Sequence, residues 1–134
     1  MMNDRSKAAL VRSDILRILW EQEDGLRALN SSDLSDRQYE KLFFPAVRWL
    51  KKEGLIFFEG HREYVNRTGC IYEPQLTAKG EALLSYKPEG YADKFGDLLR
   101  NSFRKIAEEG TAEAIKQIPL ALYTVYIAWQ SSQQ

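Results

Sequence analysis

Apolar side chains recur every three to four positions over long stretches of the chain and bunch into short β-branched or aromatic runs between them. From Ala8 to Trp20, Leu10 or Val11, Ile15, Ile18 and Leu19 share one face while Arg12, Asp14, Arg17 and Glu21 take others, which is the period of an amphipathic helix. Its end is expected near Asp24-Gly25, where glycine can adopt the left-handed conformation that closes a helix. Leu26 to Leu34 carries Asn30-Ser31-Ser32-Asp33, side chains that bond the local backbone, and reads as a connector with room for one helical turn, not as a strand.

Ser35-Asp36-Arg37-Gln38 matches a capping box, with the Ser35 hydroxyl accepting from the Gln38 amide. Tyr39, Leu42, Phe43, Ala46, Val47 and Leu50 then form one stripe, interrupted by Pro45, which lacks an amide and biases Phe44 away from the α region. The pattern predicts two helices, Asp36 to Phe43 and Pro45 to Glu53, with a single kinked helix as the alternative. After Gly54, Leu55-Ile56-Phe57-Phe58 has strand composition. Cys70-Ile71-Tyr72 resumes a strand and closes a β-hairpin whose tip falls between Gly60 and Gly69. Thr77 can cap a helix carrying Ala78, Ala82, Leu83 and Leu84.

Pro88 and Gly90 mark Ser85 to Tyr91 as a linker. Beyond it Phe95, Leu98, Leu99, Ser102, Phe103 and Ile106 trace a helix ended by Gly110, and Thr111 can cap another from about Ala112. That last helix is amphipathic through Ile115 and apolar nearly all round from Ile118 to Trp129, with Pro119 able to kink it. The organisation expected is thus 1–84, a linker 85–91, and a helical dimerisation or interaction segment 92–134.

Lys51-Lys52-Glu53-Gly54-Leu55-Ile56 and Leu76-Thr77-Ala78-Lys79-Gly80-Glu81-Ala82-Leu83-Leu84 together resemble bacterial winged-helix proteins. They look like regulators of the MarR and PadR type, where such segments end the recognition helix and follow the wing, and the spacing is similar to that of small YjcQ-type winged-helix proteins. The fold class implied is mainly α with a small β-hairpin (α+β), a winged helix-turn-helix followed by two C-terminal helices. The resemblance implies that Pro45 to Lys52 enters a major groove, with Arg48, Lys51 and Lys52 facing DNA and His61, Arg62 and Arg67 of the wing touching phosphate. Independently, Arg48 and Lys52 are four apart and share a helical face, on which a solvated surface is the other reading.

Nineteen basic and nineteen acidic side chains cancel, so DNA affinity has to come from local clustering rather than a chain-wide field. Hydrophobic residues at 44% with 28% charged ones predict a packed soluble domain. Cys70 is the only cysteine, which points to an inert buried thiol and a reducing, cytoplasmic setting. His61 is the only histidine, so a zinc site lacks ligands; it is expected in solvent at the wing tip, and no cofactor or metal is expected. The glycines are scattered as punctuation and no nucleophile has an identifiable base, which argues against an enzyme. The N-terminus lacks the apolar core of a secretory signal, and the run Ile118 to Trp129 is shorter than the ~20 residues that span a bilayer.

The C-terminal run admits core packing, a dimer interface, or a membrane-surface or partner contact, and the dimer is preferred here, through Leu122, Tyr123, Tyr126 and Trp129. The expected function is a winged-helix DNA-binding transcriptional regulator acting as a homodimer on duplex DNA. The alternative is a protein-binding adaptor or inhibitor anchored by Phe43, Phe44 and the C-terminal aromatics.

Overall fold

The computed structural model describes residues 2–22, 25–109 and 112–133. Helix α1, Asp4–Glu21, starts four residues before the apolar period does, because Asn3 caps it by accepting from the Ser6 amide at 2.8 Å. Its buried face carries Leu10, Val11, Ile15, Ile18 and Leu19. The helix stops at Glu21, with Gln22 extended, before the expected site; Asp24 lies outside the described residues and Gly25 has φ +79°.

The stretch read as a connector holds a strand, β1, Ala28–Asn30, followed by a 3-10 turn at Ser31–Asp33. Strand β1 pairs antiparallel with Gly69–Tyr72, which is β4, and buries Leu29. Three residues are too few for alternation to register in the sequence, and the bonds that make this segment a strand come from a partner some forty residues away. The expected capping box is also replaced. Asp36, not Ser35, caps the next segment, accepting from the Gln38 amide at 3.1 Å and from its side chain at 2.7 Å.

Ser35 turns instead to Asp14, a carboxylate buried in the core face of α1. Asp14 Oδ2 accepts from the Ser35 amide at 2.6 Å, and Oδ1 accepts from the Ser35 hydroxyl at 3.0 Å and from Arg17 Nη2 at 2.6 Å. Arg17 also bonds Glu21 at 2.8 Å and places its guanidinium 5.1 Å from the Phe103 ring centroid. A buried charge persists only when paired and hydrogen-bonded, and this one is satisfied from α1 and the following loop together.

Arg37–Leu42 is 3-10 with a break at Tyr39, and helix α2 runs Phe43–Lys52. Two segments are present as predicted, but the break falls earlier, at Tyr39 and Leu42, and α2 runs unbroken through Phe44 and Pro45, so proline is not its cause. Proline at the third helical position sacrifices no bond, since first-turn amides have no intrahelical acceptor. Phe43 and Phe44 are both buried, packed edge to face at 5.2 Å, beside Ala46, Val47 and Leu50.

Gly54, at φ +76°, closes α2: its amide bonds the Lys51 carbonyl at 3.0 Å and the Leu55 amide bonds that of Leu50 at 2.9 Å, a Schellman arrangement. The carbonyls left over are taken by the next motif. Lys79 Nζ donates to Glu53 O at 2.8 Å, the Thr77 hydroxyl donates to Gly54 O, and the Thr77 amide donates to Leu55 O at 3.1 Å. Thr77 also caps helix α3, Ala78–Ser85, accepting from the Gly80 amide at 3.0 Å. Gly80 lies so close to the Leu55 carbonyl that a Cβ there would collide with it.

The expected strand Leu55–Phe58 is shorter and pairs elsewhere. β2, Ile56–Phe57, pairs with β5, Gln75–Leu76, while the hairpin partner of β4 is β3, Gly60–Glu63. The three-stranded sheet runs β1-β4-β3. The hairpin tip, 64–68, is closed by Tyr64 N to Thr68 O at 2.8 Å and by Arg67 N to Tyr64 O at 2.9 Å.

Past 86–94, helices α4, Phe95–Glu109, and α5, Ala112–Ser132, pack on α1. Gly110 and Thr111, expected to part them, lie outside the described residues, as do the side chains of Ile115 and Leu120. Phe95, Leu99 and Phe103 of α4 are buried, and the Trp20 indole bonds Asp97 at 3.1 Å. On α5, Ile118, Leu122, Val125, Tyr126 and Trp129 form one buried stripe, while Tyr123 and Ile127 face solvent. The apolar run is therefore enclosed on one side by the chain's own core, and residues on both sides of the 85–91 linker share a single hydrophobic cluster. The architecture is α+β, five helices with small antiparallel sheets among the described residues.

Gly80→Ala should destabilise the protein by about 2 kcal/mol, since overpacking against backbone outweighs the ~1 kcal/mol that alanine normally adds to a helix; urea unfolding gives the sign. By the same measurement Asp14→Ala should cost about 3 kcal/mol, since the Ser35 amide and hydroxyl lose their acceptor and Arg17 keeps only Glu21.

Candidate nucleic-acid interface

Helix α2 buries one side and turns Arg48, Lys51 and Lys52 outward. Arg48 lies 3.5 Å from Glu63 of β3 and 6.0 Å from the Phe44 ring centroid, so the helix edge and the hairpin meet through this side chain. At 59% side-chain exposure for Arg48 the ion pair contributes little to stability, and the guanidinium is available to another anion. Lys51 packs over the Phe58 ring at 4.5 Å with its charge at the surface, and Lys52 is exposed.

The three hairpin residues do not act from one side. Side chains alternate along a strand, so His61 and Glu63 face α2, with the His61 ring 6.0 Å from Phe44, while Arg62 points to the opposite face and lies 5.9 Å from the Tyr64 ring. His61 is exposed within β3 and not at the tip. Arg67 occupies the tip at φ +68°, and Cys70 is half-buried in β4. Thus Arg48 and His61 meet beside Phe44 and Glu63 joins them through Arg48, unforeseen. Arg62 lies on the other face of the hairpin, and Lys52 and Arg67 share no ion pair or ring contact with this group among the described residues. The period-two alternation that separates His61 from Arg62 could have been applied to the sequence once β3 was placed.

The four C-terminal candidates also divide. Leu122, Tyr126 and Trp129 are buried on the side of α5 that packs on α1 and α4, and Tyr123 is exposed. The Tyr126 hydroxyl donates to Glu53 Oε2 at 2.8 Å, its ring lies 5.7 Å from Trp49, and the Arg12 guanidinium sits 4.1 Å over the Trp49 ring. Burial lowers the Arg12 pKa, opposed by the charge of Glu53. Burial raises that of Tyr126, reinforced by its hydrogen bond to Glu53 and by the Glu53 charge. These contacts tie α5 to the last turn of α2.

A cavity of about 80 Å³ lies between α1, the Leu34–Tyr39 segment and α4, lined by Leu10, Leu34, Tyr39, Phe103 and Ile106 with Asp14 at its rim. Among the described residues no three potential metal ligands gather, and no helix is long and apolar enough to cross a membrane. Comparison of the chain with protein-family models, with curated proteins and with solved structures finds no match.

The Tyr126 contact makes stability pH-dependent in a defined direction. A phenol whose pKa is raised by folding stabilises fully below its unfolded value of about 10 and loses that contribution as pH rises through the folded value. Urea midpoints should therefore fall more between pH 8.5 and pH 10.5 for the wild type than for Tyr126→Phe, and parallel curves would remove Tyr126 from the account.

Proposed function

We propose that this chain is a winged helix that binds duplex DNA, with α2 as the recognition helix and the β3–β4 hairpin as the wing. The observation that carries the reading is the Arg48–Glu63 contact, which sets the exposed basic edge of α2 beside the hairpin. The order helix, strand, 3-10 segment, helix, hairpin, with a β1-β4-β3 sheet, supports the same reading, as does the resemblance to MarR-, PadR- and YjcQ-type proteins.

In this reading the buried pair Phe43 and Phe44 anchors the start of α2 in the core, and base contact passes to Arg48, one turn further on. A guanidinium can bond guanine O6 and N7 together; Lys51 and Lys52 neutralise phosphate. Arg67 at the hairpin tip and His61 beside Phe44 flank the backbone, and Arg62, on the far face, is left out. The adaptor reading loses two of its anchors, since neither Phe43 nor Phe44 reaches the surface.

Homodimer pairing, and with it regulation at a twofold site, falls to the outer face of α5, where Tyr123 and Ile127 are exposed one turn apart and no charged residue follows Lys116. Two copies paired there would present two α2 helices to successive major grooves.

Fluorescence anisotropy with mixed duplex fragments at low and moderate salt, and the protein's mass measured alongside, tests the proposal. Arg48→Ala should weaken binding and relax sequence preference by about 1 to 3 kcal/mol at one position, while Lys52→Ala should lower the salt slope by about 1 across all sequences. Glu63→Gln should tighten binding, because it removes a carboxylate from the phosphate side and frees Arg48. Absence of duplex binding at low salt, or indifference to all three changes, rejects the reading.

A further inference from the structure

The opposite face of the β1-β4-β3 sheet has a composition that the duplex reading does not use. From the register, the residues on that face are Ala28 and Asn30 of β1, Cys70 and Tyr72 of β4, and Gly60 and Arg62 of β3. Their neighbours in alternation, Leu29 and Ile71, point into the core. Tyr64 continues the outward series beyond Arg62, still within the paired hairpin through its bond to Thr68.

Two tyrosines on this face stay exposed, Tyr72 at 39% and Tyr64 at 54%. Gly60 stands directly across from Tyr72, and Tyr72 Cδ2 lies 3.9 Å from where a Gly60 Cβ would be. With no side chain opposite, the ring can lie against the backbone and turn its outer face to solvent. The Arg62 guanidinium sits between the two tyrosines along the hairpin, 5.9 Å from the Tyr64 ring. The Tyr72 phenol is raised in pKa chiefly by a hydrogen bond with Cys70, with Arg62 opposing and Tyr64 adding, so the four groups lie within electrostatic reach of one another.

We infer that this sheet face is a binding platform for single-stranded nucleic acid, with one base stacked on Tyr72, a second on Tyr64, and the phosphate between them held by Arg62. Charge complementarity selects this occupant. None of the six outward ladder positions is acidic and one is a guanidinium, while Arg67 extends the positive charge at the tip. Glu59 and Glu73 flank the end beyond Tyr72, and Asp33, bonded to Asn30, lies at the β1 edge, which leaves the β3 side from Tyr72 toward the tip to a polyanion. Every base presents a π-face, so aromatic rings with an adjacent cation bind single strands without reading sequence. About 3.3 Å per strand residue puts Gly60 and Tyr64 roughly 13 Å apart, room for two bases but not for a duplex lying flat across both rings.

The test is an anisotropy titration of the full chain with a labelled ten-nucleotide oligothymidine and with an abasic strand of equal length, which keeps the phosphates and lacks the bases. Oligothymidine should bind at low salt, and the abasic strand at least tenfold more weakly. Tyr72→Thr and Tyr64→Thr, each checked for retained folding by circular dichroism, should each weaken oligothymidine about tenfold while leaving duplex binding in place. Arg48→Ala should leave the oligothymidine affinity unchanged, which separates this face from the α2 edge. No binding of oligothymidine, equal binding of the abasic strand, or loss with Arg48→Ala in place of the tyrosine changes overturns the inference.

Discussion

The end of α2 leaves three carbonyls without helical partners, and the way they are satisfied holds the rest of the molecule in place. Those of Glu53, Gly54 and Leu55 accept from Lys79 and Thr77, so one short segment ends a helix, starts another and sets the register in which β2 meets β5. Gly80 permits the approach because it has no Cβ to strike Leu55. Glu53 adds its carboxylate, which takes the Tyr126 hydroxyl and so attaches α5 to the same point. Orphaned backbone groups are costly when removed from water, and one junction resolves that cost for four elements at once.

Asp14 does comparable work at the other end of the core. A carboxylate on the buried face of a helix would be unfavourable alone, yet it accepts from the Ser35 amide and hydroxyl and from Arg17. The loop preceding α2 is thereby fixed to α1, and Arg17 carries the connection on to Phe103 of α4. With Phe43 and Phe44 buried just beyond, α2 is held at both termini, which gives its exposed edge a defined position relative to the hairpin.

A chain with no net charge can still present separate surfaces of one sign, provided strand alternation sorts its residues. In β3, His61 and Glu63 go to the α2 side and Arg62 goes to the other. The proposed duplex edge thus contains a carboxylate beside its principal arginine, whereas the outer sheet face contains an arginine and tyrosines with no acidic ladder position. The two surfaces are back to back on one hairpin and share only Arg67 at its tip.

The helices, the cap at Thr77 and the stop at Gly54 were legible in the sequence because they depend on interactions within a turn or two of chain, whereas the break expected at Pro45 lies earlier, at Tyr39 and Leu42. So was the basic edge of α2, since Arg48 and Lys52 follow from helical spacing. What required the tertiary structure were features whose partners are remote. Strand β1 exists through β4, Ser35 caps nothing because Asp14 captures it, and β4 pairs with Gly60–Glu63 and not with Leu55–Phe58. The division of α5 into a buried stripe with Tyr126 and Trp129 and an exposed side with Tyr123 likewise comes from α1 and α4, which the local pattern of an all-apolar run cannot indicate. Local periodicity states which conformation a segment prefers; which face it hides, and against what, is decided only when distant segments compete for the same contacts.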